Sequence, residues 1–157
     1  IRKKTAALFK ASSQSGAVSV GAVQEEVMKA GLLGEMIGIA FQIKDDIFDY
    51  FESSELGKPT GNDMLEGKLT LPALYVLNQT GDDSLKQTAL KIRSLEASKE
   101  EIANFVETVK EKGGIEYATR MMYEFRDKAL ALVPASADSS LKEALTAYID
   151  YVIERNK

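Results

Sequence analysis

Residues 41–50 read FQIKDDIFDY, placing three carboxylates, Asp45, Asp46 and Asp49, among the apolar Phe41, Ile43, Ile47 and Phe48. A lone buried carboxylate is costly, and its usual escapes are pairing, protonation or a metal. On a helix each residue turns by about 100°, so Asp45 and Asp49 share a face one turn apart. Asp46 is displaced by one residue and can lean towards the same place, and Gln42, three residues before Asp45, shares the face. The result is a wall of oxygen donors with no nitrogen or sulfur. Such a set suits a hard divalent cation, Mg²⁺ first and Mn²⁺ also, which keeps several waters and takes few carboxylates plus substrate phosphates. An EF-hand does not fit, because the loop glycine and later bidentate Glu are missing. The competing reading is a solvated acidic stripe, the commonest fate of charge on a helix.

The chain holds no Cys and no His. That removes thiolate nucleophiles, disulfides, Cys/His zinc sites and the Ser-His-Asp triad together. Ser19, in GAVSVG, is not the G-x-S-x-G elbow and has no His to serve it. Lysines are available instead. Lys58 and Lys68 lie in the glycine-rich stretch ELGKPTGNDMLEGKLT that follows the aspartates, and Lys4-Thr5 stands near the start. Carboxylates, a metal and lysines together make a place for a diphosphate.

The elements that must carry these groups read as all-α. Prolines number three and the 3.6-residue period dominates. The pattern predicts a helix over residues 2–11, a break in SSQSG at 12–16, and a long helix over 20–51. Gly31, Gly34 and Gly38 recur within that helix, so another helix or a ligand must come close. Residues 55–70 read as a long loop, and Pro72 opens a helix to about residue 78. Asp82 or Asp83 caps a helix to about 95. Ser98 and Glu101 form a capping box for a helix to about 112. Gly113-Gly114 makes the turn into a helix over 115–133, and Ser140 with Glu143 starts the last one.

With 157 residues, 45% hydrophobic and 28% charged, the composition is that of one globular domain spanning residues 1–157. A net charge of -4 gives no reason to expect nucleic acid, so phosphate binding must be local. The apolar run over residues 30–41 is far short of the ~20 residues a membrane span needs. No signal peptide is visible, and a cytoplasmic protein is expected. The chain begins with Ile1, which reads as a piece of something longer.

These motifs resemble a known family. GIAFQIKDDIFDY followed by LGKPTGNDMLEGKLTLPAL looks like the second aspartate-rich motif and following loop of trans-isoprenyl diphosphate synthases, the polyprenyl synthetase family. The Lys-Thr, Phe-Gln, DDxxD, Gly-Lys-x-x-Gly-x-Asp and Gly-Lys-x-Thr-Leu-Pro elements occur in the family's order over about residues 4–74. The resemblance implies an isoprenoid-synthase-type helical bundle, of which this chain is the C-terminal half.

It also implies roles. Asp45, Asp46 and Asp49 would bind Mg²⁺ at the diphosphate of an allylic prenyl substrate. Lys4 and Lys58 would contact that diphosphate, with Lys68 as a further cation. Thr5 and Gln42 would orient the reacting end and help stabilise positive charge, and Phe41 would line the pocket. The family's reaction joins isopentenyl diphosphate head-to-tail to the allylic diphosphate, in a homodimer. The EGKLTLP and FDY variants look most like long-chain, octaprenyl-type synthases. The family's first aspartate-rich motif and its isopentenyl diphosphate segments are absent from these residues, so the 157-residue chain alone is expected to be inactive. A non-catalytic subunit of a heteromeric synthase and a structural helical module are the alternatives. The first would be expected to have lost its aspartates or lysines, and this chain keeps them.

Overall fold

The computed structural model describes residues 2–51 and 60–155. Every regular element among them is helical. A π-helical stretch, Arg2–Ala6, runs straight into α1 (Ala7–Ser19). There follow α2 (Gln24–Phe48), α3 (Asn62–Leu65), α4 (Leu71–Thr80), α5 (Asp83–Arg93), α6 (Lys99–Glu111), α7 (Gly114–Ala131) and α8 (Ser139–Glu154). The chain divides into two compact units, Ile1–Lys44 with Arg120–Lys157, and Asp45–Thr119. Among the described residues no helix is long and apolar enough to cross a membrane.

In the first unit the expected break at 12–16 does not occur: α1 continues through it. The reason is packing. Gln14 lies where a side chain at Gly31 would go, and Phe9 and Ser13 lie against Gly34. Gly38 meets Ala6 and Phe9 in the same way. The three glycines of α2 therefore admit a helix, α1. That contact overrides the weak helix preference of the serines.

The real break comes later, at residues 20–23. Gly21 takes φ +74°. Its N–H donates to Val18 O at 3.0 Å, and the Ala22 N–H donates to Ala17 O at 3.1 Å. These two bonds form a Schellman motif, which needs the left-handed conformation that glycine adopts freely. The long helix consequently starts at Gln24 rather than residue 20, with the Glu26 carboxylate accepting the Val23 N–H at 3.3 Å. It ends at Phe48, three residues before the expected end. Ala6, Val27, Met36, Ile37, Ile39, Ala40 and Ile43 are buried there, as are Ile149, Val152 and Ile153 of α8. Arg126 of α7 and Asp150 of α8 pair at 2.7 Å. The N-cap of α8 is Asp138, whose carboxylate accepts the Leu141 N–H at 2.7 Å, and not Ser140. Asp is at least as good an N-cap as Ser, so the earlier residue takes the role.

The second unit closes around Tyr50, Met64, Val76, Leu85, Ile92, Ile102, Phe105, Val106 and Val109. Ile102, Phe105, Val106 and Val109 follow the i, i+3, i+4, i+7 spacing of one helix face, and each buried side chain stabilises by about 1.5–3 kcal/mol. The stretch expected to be loop contains a short helix, α3, which buries Met64 in this core. Pro72 sits in the first turn of α4, as expected. The caps at Asp82 and Ser98 are both formed.

The α6 cap supports a prediction. Ser98 Oγ accepts the Glu101 N–H at 3.1 Å, and the Ser98 N–H donates to Glu101 Oε2 at 2.8 Å. Lys91 also bonds Glu101 at 2.6 Å. That ammonium, followed by the Ser98 groups, lowers the Glu101 carboxyl from the ordinary 4.5 to about 2. A depressed carboxyl contributes stability above its unfolded pKa and loses it as pH falls through the folded one. Glu101→Gln should therefore remove part of the stability change between about pH 4.5 and 2. Ser98→Ala should cost about 1 kcal/mol in urea unfolding at pH 7.

Candidate functional site

The residues singled out by chemistry fall in both units. In the first, Lys4 is exposed and Thr5 partly buried, both on the π-helical stretch. Such turns are rare and recur at functional sites. The Thr5 hydroxyl donates to Gln42 Oε1 at 2.6 Å, so the Lys-Thr and Phe-Gln motifs, 37 residues apart, are joined by one hydrogen bond. Neighbouring Phe41 packs its ring 5.4 Å from that of Phe9, at an interplanar angle of 44°.

In the second unit Asp45 and Asp49 are partly exposed, while Asp46 is 5% exposed. Asp49 lies just past the end of α2 but keeps the helical register, its N–H donating to Asp45 O at 3.4 Å. The expected one-turn stacking of the two residues is thus retained. Asp49 is also held from the start of α3. The Gly61 N–H donates to Asp49 O at 2.8 Å, and the Asp63 N–H donates to Asp49 Oδ2 at 3.1 Å. Gly61 takes φ +78°, and a side chain there would meet Ile102.

The sequence pattern assigns Asp63 no role. The signal was present, since it is the Asp of the quoted Gly-x-Asp element, but spacing alone cannot show a backbone bond to Asp49. Tyr50, 1% exposed, closes the motif on the core side. Burial pushes its hydroxyl above the ordinary range, and the charges of Asp49 and Asp46 add to that push. It stays a neutral phenol.

Lys68 is exposed and engaged with acids of its own turn. It bonds Glu66 and lies 3.7 Å from Asp63, and the Glu66 contact raises its pKa. Lys58 lies outside the described residues. Among the described residues no group of three or more Asp or Glu side chains converges closely enough to hold a metal by itself.

The donor chemistry nonetheless fits a hard divalent cation. Oxygen donors alone are offered, from Asp45, Asp46 and Asp49, and the Asp49 carboxylate is oriented by a backbone N–H.

Residues 1–109 match the model of the polyprenyl synthetase family. The chain belongs to that family. It is 37% identical over 153 residues to heptaprenyl diphosphate synthase component 2 of Geobacillus stearothermophilus, covering 95% of this chain and 47% of that protein. Among solved structures, a geranylgeranyl pyrophosphate synthase from Bacteroides thetaiotaomicron superposes with a TM-score of 0.93. It is 56% identical, over 98% of this chain and 51% of its own. A polyprenyl synthase from Caulobacter crescentus CB15, solved with calcium and isoprenyl diphosphate, gives 0.85 at 31% identity, over 100% of this chain and 48% of its own. The all-α isoprenoid-synthase fold expected from the motifs is the fold found. The chain spans about half the length of the relatives it matches.

Proposed function

We propose that the protein containing this chain is a metal-dependent prenyltransferase that joins isopentenyl diphosphate to an allylic prenyl diphosphate. The carrying observation is the Asp45–Asp49 turn, one helical step apart and braced by the N–H groups of Gly61 and Asp63. The Caulobacter relative, solved with calcium and isoprenyl diphosphate, supports the same ligand chemistry.

In this reading Asp45, Asp46 and Asp49 hold Mg²⁺, with Mn²⁺ as a substitute. When bound, the metal would supply positive charge that stabilises a departing diphosphate. The family resemblance gives Lys4, Lys58 and Lys68 the role of diphosphate-binding cations. The allylic C–O bond breaks and pyrophosphate leaves with the electron pair. The double bond of isopentenyl diphosphate then attacks the allylic carbon, a C–C bond forms, and a proton passes to the released pyrophosphate. The Thr5 hydroxyl directs its proton to Gln42, so its oxygen offers lone pairs rather than a hydrogen to developing positive charge. Phe41 and Phe9 supply apolar wall that keeps water from a cation. The family resemblance extends the reading to a cytoplasmic homodimer making a long-chain product.

The test uses a protein as long as the relatives, incubated with geranyl and isopentenyl diphosphates. Mg²⁺-dependent chain extension, lost on chelation, is expected, and the 157-residue chain alone should show no turnover. No transfer with any divalent metal would reject the reading. A second reading is specifically motivated, because the Geobacillus relative is named as a component. Transfer that appears only after a second polypeptide is added would establish a heteromeric synthase.

A further inference from the structure

The C-terminal end of α8 carries a contact that the motif reading does not use. The helix stops at Glu154, and Arg155 leaves it with φ −50° and ψ 134°. The Arg155 N–H still donates to Tyr151 O at 3.1 Å, which fixes where its side chain begins. That side chain reaches Phe41, 114 residues earlier. The guanidinium carbon lies 3.8 Å from the Phe41 ring centroid, and Nη2 donates to Phe41 O at 3.4 Å.

One side chain therefore holds both the ring and the backbone of the residue before Gln42. Only a planar guanidinium can stack on an aromatic face and donate from its edge together, and a lysine ammonium lacks that geometry. The contact is not a solvated tail lying on a surface, because Arg155 is partly buried. Phe41 is held from another side of the sequence as well, by Phe9 of α1. Gly38, one turn before Gln42, makes room for Phe9, since any side chain there would meet Phe9 Cβ at 3.0 Å. The Thr5–Gln42 bond thus sits next to a residue contacted by two other segments of the chain, α1 and the end of α8.

We infer that Arg155 is a positioning residue for prenyl transfer, clamping Phe41 so that the Gln42 amide and Thr5 hydroxyl keep their bonded geometry. The inference rests on the proposed prenyl transfer, with Arg155 acting through Phe41 and not on the substrate itself. A positioning role of this kind affects turnover more than substrate affinity, because misplacement by a fraction of an ångström is felt mainly in the transition state.

The test is a double-mutant cycle in the protein of full length. Arg155→Leu should lower kcat about tenfold and change KM for the allylic diphosphate less than about threefold. Arg155→Lys should recover only part of the loss, because the charge returns without the stacking plane. In a Phe41→Leu background, adding Arg155→Leu should slow turnover by less than about twofold, the signature of two residues acting as one. Losses that multiply independently would overturn the clamp, and so would an Arg155→Lys variant as active as wild type. If Arg155→Leu does not fold, Arg155→Lys carries the same comparison. A second measurement does not need activity. With labelled arginine, the Arg155 side-chain NMR signals should be shifted upfield by the Phe41 ring current and return to ordinary positions in Phe41→Leu. Absence of that shift removes the clamp even in an active enzyme. Its presence in a protein without transfer would keep the clamp as a contact and reject both its catalytic role and the proposed function.

Discussion

Asp45→Asn in the protein of full length should lower kcat by roughly 10²–10³ while the thermal midpoint barely moves. The size follows from what the residue is asked to do. In the proposed reaction a metal would hold the departing diphosphate, and losing an anionic ligand would weaken that hold where charge changes most. The small structural effect follows from position. Asp45 is partly exposed, and its backbone carbonyl, which takes the Asp49 N–H, is untouched by the substitution. Asparagine also keeps the side-chain shape.

Asp46 makes the useful contrast. At 5% exposure its carboxylate belongs to the interior, so Asp46→Asn should alter stability as well as turnover. Magnesium titrations of Asp45→Asn should saturate at higher metal concentration than wild type. Unchanged turnover and an unchanged Mg²⁺ requirement would take Asp45 out of the metal site, and with it the central residue of the proposed mechanism.

The parts of this molecule legible in sequence are those governed by neighbours along the chain. The caps at Asp82 and Ser98 and the first-turn Pro72 are local signals, and each does what its residue type dictates. The serines at 12, 13 and 15 are local signals too, yet they fail, because Gly31 and Gly34 bring α1 against α2 and packing outweighs propensity. Gly21 could have been recognised as a helix-ending glycine, but its apolar neighbours Val20, Ala22 and Val23 hide the break in a hydrophobic pattern. The candidate site divides in the same way. Asp45 and Asp49 follow from helical periodicity. The bond from the Asp63 N–H to Asp49 and the stacking of Arg155 on Phe41 join residues 14 and 114 positions apart, for which no periodicity exists. Relatives named for geranylgeranyl, heptaprenyl and octaprenyl products all match the same residues.

Gly34→Ala should destabilise the protein by about 1–3 kcal/mol, although alanine is the better helix former by about 1 kcal/mol. A Cβ at position 34 would stand 2.5 Å from the Phe9 carbonyl oxygen and 2.9 Å from its carbon. Backbone cannot rotate aside, so α1 itself would have to withdraw. Gly31 is the matched control. The nearest atoms a Cβ there would meet belong to the Gln14 side chain, at 2.7 to 2.8 Å, and that chain can swing away. Gly31→Ala should therefore be neutral or slightly stabilising in equilibrium urea unfolding. The pair also bears on activity. Withdrawal of α1 carries Thr5 and Phe9 with it, stretching the 2.6 Å bond to Gln42 and loosening the ring contact with Phe41. Gly34→Ala should then lose turnover under conditions where it is still folded, whereas Gly31→Ala keeps it. Equal stability and equal turnover in the two variants would mean that the close approach of α1 at Gly34 does not set the position of Thr5.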